Sequence, residues 1–158
     1  MTAPRMLLAA LLLLSFGCGR SSSGGADAKP SAFHHQPPHG GTGVALGDGD
    51  YNLEVVRDAA TGTLSAYVFD DDMEDFVRSP SPAVTIVARV GGESRRLTLA
   101  AVANPATGET VGDTALFQGQ ADWVRTTRHF SATVQAIEVH GNHFSDVTFD
   151  FPAGSDSN

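Results

Sequence analysis

The alternation of apolar and polar side chains past Gly41 constrains this chain most. Tyr51, Leu53 and Val55 alternate with Asn52 and Glu54. Leu64, Ala66 and Val68 do so with Ser65 and Tyr67, and Val84, Ile86, Ala88 and Val90 with Thr85, Val87 and Arg89. The pattern recurs at Leu97 and Leu99, at Phe130, Ala132 and Val134, and at Val147, Phe149 and Phe151. A period of two puts successive side chains on opposite faces of an extended strand, so each strand has one buried and one wet face. Antiparallel sheets packed face to face meet that condition.

Turn chemistry divides the strands. Asp58-Ala59-Ala60-Thr61-Gly62 has the residues of a type I turn closed by a left-handed glycine, and Asn104-Pro105-Ala106-Thr107-Gly108 repeats it. Gly91-Gly92 and Gly141-Asn142 are short enough to close two hairpins. Leu116-Phe117 and Trp123-Val124 add two short strands around Gly119. The expected fold is all-β: an immunoglobulin-like antiparallel β-sandwich of about 7–8 strands, with a barrel as the alternative and no helix needed. The expected boundaries are a leader at 1–17, a flexible linker at 18–38, the β domain at 39–152 and a frayed tail at 153–158.

The leader follows from charge and hydropathy. Arg5 is the only charge before residue 20, and Met6 to Leu14 is unbroken apolar sequence. About 20 apolar residues are needed to span a bilayer, so this run suits the core of a secretory signal instead. Small residues and Cys18 follow. Cys18 is the only cysteine, which rules out an intramolecular disulfide and calls for another use of the thiol. Its setting resembles the lipobox of bacterial lipoproteins, although Ser15 stands where that motif usually has leucine. The resemblance implies lipidation at Cys18, and Gly19 after it implies the outer membrane, facing the periplasm. Ordinary signal cleavage with a leftover thiol is the alternative. From Arg20 to Pro38 the Ser-, Gly-, Ala- and Pro-rich composition is that of a spacer.

The chain of 158 residues carries a formal charge of −8. The leader holds only Arg5, so the remainder has 9 basic against 18 acidic residues, a charge of −9. That excludes a nucleic-acid binder, which neutralises phosphates with Lys and Arg.

Three groups of side chains are candidate sites. Three of the six histidines, His34, His35 and His39, lie in the junction Phe33-His-His-Gln-Pro-Pro-His-Gly-Gly41. Their imidazoles suit Zn²⁺, Cu²⁺ or Ni²⁺, and the bland reading is a solvated linker. His140 and His143 would face each other if Gly141-Asn142 were a two-residue turn. They would need a third ligand from the junction, and as exposed turn-flanking residues they need no function. Asp70-Asp71-Asp72-Met73-Glu74-Asp75 offers oxygen ligands for Ca²⁺ but lacks a glycine-spaced calcium loop. His129 has no visible partner. No catalytic constellation is present: the chain has no nucleophile elbow, no phosphate loop and no nucleophile beside His140, His143 and Asp146.

His39-Gly40-Gly41, the strand beginning at Tyr51, Asp58 to Gly62, and Leu64-Ser-Ala-Tyr-Val-Phe-Asp70 together resemble a known family. It is the small His-Gly-Gly β domain of exported lipoproteins common in planctomycete-type bacteria. A similar domain precedes the adaptor subunits of heavy-metal efflux pumps. The likeness covers most of residues 38–151, but the adaptors' long coiled hairpin, lipoyl-like half-motifs and barrel have no counterpart here. The resemblance implies a stand-alone accessory of metal homeostasis or efflux, with His39 as principal ligand and a partner in the envelope or the efflux machinery. The other expectation is a non-catalytic module that docks an envelope partner through a sheet edge, with the histidines incidental.

Overall fold

A computed structural model describes residues 35–153 of the chain. Cys18 and His34, with the leader, most of the linker and the end of the tail, lie outside the described residues. The domain begins with strands β1 (Thr42–Leu46), β2 (Tyr51–Asp58) and β3 (Thr63–Phe69). Strands β4 (Ala83–Val90), β5 (Glu93–Ala101) and β6 (Leu116–Gln120) follow, then a five-residue helix α1 (Asp122–Thr126). Strands β7 (Phe130–Val139) and β8 (Asn142–Phe151) close it.

All eight strands join in one antiparallel order, β1-β2-β3-β6-β5-β4-β7-β8. The all-β antiparallel fold implied by the alternation is the fold observed. The seam between β5 and β6 is thin, with two registered pairs, Ala100↔Gln118 and Ala101↔Phe117. There the backbones come close, because a Cβ on Gly119 would sit 2.6 Å from the Thr98 carbonyl oxygen. On either side of this corner lie four strands, and the sheet curls until β8 returns beside β1. Ala153 N–H donates to Thr42 Oγ1 at 3.2 Å, and Gly47 leaves room for the Phe144 ring. Inward side chains from every strand, among them Leu53, Leu64, Ile86, Leu99, Phe117, Val134 and Phe149, form one core.

Three turns have the expected chemistry. Asp58 Oδ1 accepts from Ala60 N–H at 2.8 Å, and Gly62, at φ +74°, donates its N–H to the Asp58 carbonyl at 2.9 Å. Gly91 and Gly92 both have positive φ and close β4 onto β5. Asn104 Oδ1 accepts from Ala106 N–H at 3.1 Å.

Two local expectations are corrected. Trp123-Val124 is helical. The extended Ala121 ends β6, Val124 turns fully inward, and Arg57 donates to the carbonyls of Val124 and Arg125 at 2.6 and 2.7 Å. A guanidinium on the last carbonyls is a favourable helix end, and the turn of helix plugs the core beside Phe130. The last hairpin turn is His140-Gly141, one residue earlier than expected. Both residues have positive φ, 48° and 80°, as a type I′ turn requires, and Val139 pairs with Asn142.

Candidate functional site

The polar face of β2 is covered, contrary to the alternation. Glu54 is completely buried and Asn52 nearly so. Two segments cover them: the junction 35–41 and the acidic loop 70–76. Asn52 Nδ2 donates to the carbonyls of Asp70 and Asp71 at 2.9 and 3.0 Å, which fastens the loop to the sheet.

Glu54 fastens the junction. Its Oε1 accepts from the backbone N–H groups of His39 and Gly41, both at 2.8 Å, and its Oε2 lies 2.6 Å from His39 Nδ1. With Glu54 Oε2 as acceptor, Nδ1 carries the proton and Nε2 is the ring nitrogen not bonded to the carboxylate. The imidazole stacks on Tyr67 with centroids 4.2 Å apart. Phe69 and Phe76, stacked at 4.7 Å, complete a four-ring layer. Gly40 turns at φ +71°, its N–H bonded to the Pro37 carbonyl. Gly41 lies flat on β2, where a Cβ would come within 2.5 Å of the Val55 carbonyl oxygen. Each residue of His39-Gly40-Gly41 therefore has a distinct structural task.

The other candidate ligands are dispersed. His140 Nδ1 is 3.4 Å from the Tyr51 hydroxyl. The one-residue shift of the turn sets His143 opposite Glu138, 3.8 Å from its carboxylate, so His140 and His143 do not face each other. His35 and His129 are exposed. Among the described residues, only Asp70, Asp71 and Asp72 bring three potential ligand atoms within 4.8 Å of one another. That loop uses its own carboxylates: Asp70 Oδ1 accepts from Glu74 and Asp75 N–H, and Asp72 Oδ1 from Glu74 N–H.

A feature without a sequence signal lies next to the four-ring layer. An open groove of about 530 Å³ runs between Phe76 to Arg78, Pro80, the turn at Gly112-Asp113 and the hairpin tip His140-Gly141. Among the described residues, the two large apolar side chains left exposed are Phe76 and Val111. Phe76 lines this groove and Val111 precedes Gly112 at its edge. Arg78 donates to Asp113 at 2.8 Å and to the Thr107 carbonyl at 2.6 Å, so its charge is matched locally. Behind that turn stands Glu109. Partial burial pushes its carboxyl up, but hydrogen bonds from the Thr107 hydroxyl and Ala115 N–H, the Arg78 guanidinium and the Thr114 hydroxyl outweigh burial. They hold Glu109 below the usual carboxylate range. Exposure was not legible because it depends on which strands the loops come to rest upon.

Comparison with family models, with curated proteins and with solved structures gives no match. No helix among the described residues is long and apolar enough to cross a membrane.

Removing a partner from a buried, hydrogen-bonded carboxylate cluster costs far more than trimming its half-exposed side. Glu54→Ala is expected to lower the unfolding free energy of the full chain by about 3 kcal/mol or more, and His39→Ala by about 1 kcal/mol. Urea unfolding measures both. A Glu54→Ala variant within about 0.5 kcal/mol of wild type contradicts the clamp, since such a value is typical of an ordinary surface change.

Proposed function

We propose that this chain is a non-catalytic module of the cell envelope, lipid-anchored through Cys18 in the outer membrane and facing the periplasm, that docks another envelope protein through the groove beside Phe76. The observation that carries this reading is the convergence of exposed apolar surface. Isolated exposed apolar side chains are ordinary, but here Phe76 lines the concavity and Val111 directly precedes Gly112, which lines it too. The spacer at residues 20–38 gives the domain reach from the membrane. Strand addition at the β8 edge is a poorer route. Asp146 holds φ 53° in mid-strand, and His143, Asp146 and Asp150 are exposed along it, devices that discourage edge pairing.

A photo-crosslinking side chain placed at Val111 in cells is expected to give an adduct with an envelope protein. Phe76→Ser should abolish that adduct, and the same probe at the distant exposed position Ser94 should give none. Equal adducts from both positions, or an adduct indifferent to Phe76→Ser, would sink the docking site.

One geometric feature favours a second reading, a weak transition-metal accessory of metal homeostasis or efflux. A carboxylate behind one imidazole nitrogen is the usual support of a metal-bound histidine, and Glu54 stands in that relation to His39 Nδ1. On this reading His39 Nε2 coordinates Zn²⁺, Cu²⁺ or Ni²⁺, helped by His34 and His35, while His140 and His143, set apart on other partners, take no part. Calorimetric titration of the full chain with each metal is expected to show binding that weakens at least about tenfold in Glu54→Gln, the usual loss when such a support is removed. It should vanish in His39→Ala. An isotherm unchanged in His39→Ala would exclude the junction as the metal site.

A further inference from the structure

The acidic loop beside Phe76 bears on the partner's chemistry. Resting on the docking reading, we propose that the groove receives a polypeptide segment that combines basic side chains with an apolar anchor. The bridge Phe69↔Phe76 closes the loop 70–75, so this acidic loop runs directly into the residue that carries the exposed ring. The loop is firmly set. Asp70 N–H donates to the Asp75 carbonyl at 3.1 Å, Asn52 holds two of its carbonyls, and Met73 is inserted beneath it, 3% exposed.

Asp70 and Asp72 spend carboxylate oxygens on the loop's own N–H groups. The side chains of Asp71, Glu74 and Asp75 are exposed and make no ion pair among the described residues. Across the groove, Arg78 is matched by Asp113. The apolar ring therefore borders a fixed excess of negative charge.

That arrangement selects among occupants. An anionic lipid surface or an acidic segment meets like charge, which costs affinity at a docking site. A second copy of this chain, itself at −8, brings the same acidic loop. A basic segment is steered in by the carboxylates, while one apolar side chain packs against Phe76 and Val111 as the buried anchor. The groove volume, about 530 Å³, suits a few side chains of an extended segment.

The test uses the full chain in mild detergent and three fluorescent synthetic peptides of equal length. One combines Lys and Arg with Phe, one replaces the basic residues by Glu, and one replaces Phe by Ser. Fluorescence anisotropy should show the basic, Phe-containing peptide binding at least about tenfold tighter than either counterpart, and weakening as salt rises. Phe76→Ser should remove binding. Asp71→Asn with Glu74→Gln and Asp75→Asn should weaken it about tenfold and flatten the salt dependence.

If the acidic peptide binds equally well and still requires Phe76, the charge inference falls while groove docking stands. Binding of the basic peptide that ignores Phe76→Ser is unspecific attraction and overturns the proposal. Failure of all three peptides to bind overturns it as well, and the Val111 crosslink then decides the docking reading separately.

Discussion

A carboxylate buried on the outside of a sheet is the constraint around which this domain's first strand is set. Taking Glu54 out of water costs several kcal/mol unless its lone pairs are met. Two backbone N–H groups and one imidazole N–H meet them. All three donors come from His39 and Gly41, so the carboxylate fixes where the chain arrives on β2. Thr42 then starts β1 opposite Val55, and the β1–β2 register follows from that arrival. Gly41 makes the approach feasible, since any side chain there would collide with the Val55 carbonyl.

The same interaction reaches the candidate docking surface. His39 stacks on Tyr67 and lies against Phe69 and Phe76. Phe76 belongs both to this ring layer and to the groove wall. The clamp that ends the linker therefore also supports the exposed ring proposed to hold a partner. The metal reading draws on this geometry too, because the hydrogen bond that orients His39 engages Nδ1 and not Nε2. What distinguishes the two readings is which neighbours converge. The described histidines are dispersed, whereas exposed Phe76 lines the groove and exposed Val111 adjoins Gly112 in its wall.

The fold class was legible because alternation and turn chemistry are local. Ala-Ala-Thr-Gly62 and Gly91-Gly92 specify their hairpins from adjacent residues alone. The turn at His140-Gly141 was read one residue late, because Gly141-Asn142 also has turn chemistry and positive φ is uncommon outside glycine. Trp123-Val124 looked like a strand because two apolar residues show no period, and the Arg57 side chain that ends the helix comes from 67 residues away. Glu54 looked like a wet-face residue. Its burial depends on the junction and the acidic loop folding across β2 and β3. The aromatic residues Tyr67 and Phe69 on the outer part of β3 were the one local hint that this face is covered. His39-Gly40-Gly41 stood out as a motif, yet its main structural partner lies 15 residues onward and carries no motif of its own.

Amide hydrogen exchange at His39 and Gly41 tests the clamp most directly. Both N–H groups point at a buried carboxylate, outside any strand ladder. In the wild-type chain they should be protected to the same degree as the amides of the β1–β2 ladder, and Glu54→Gln should accelerate exchange at both while leaving the β4–β5 amides unchanged. Exchange of His39 and Gly41 in the wild type at the rate of an open chain would contradict the clamp.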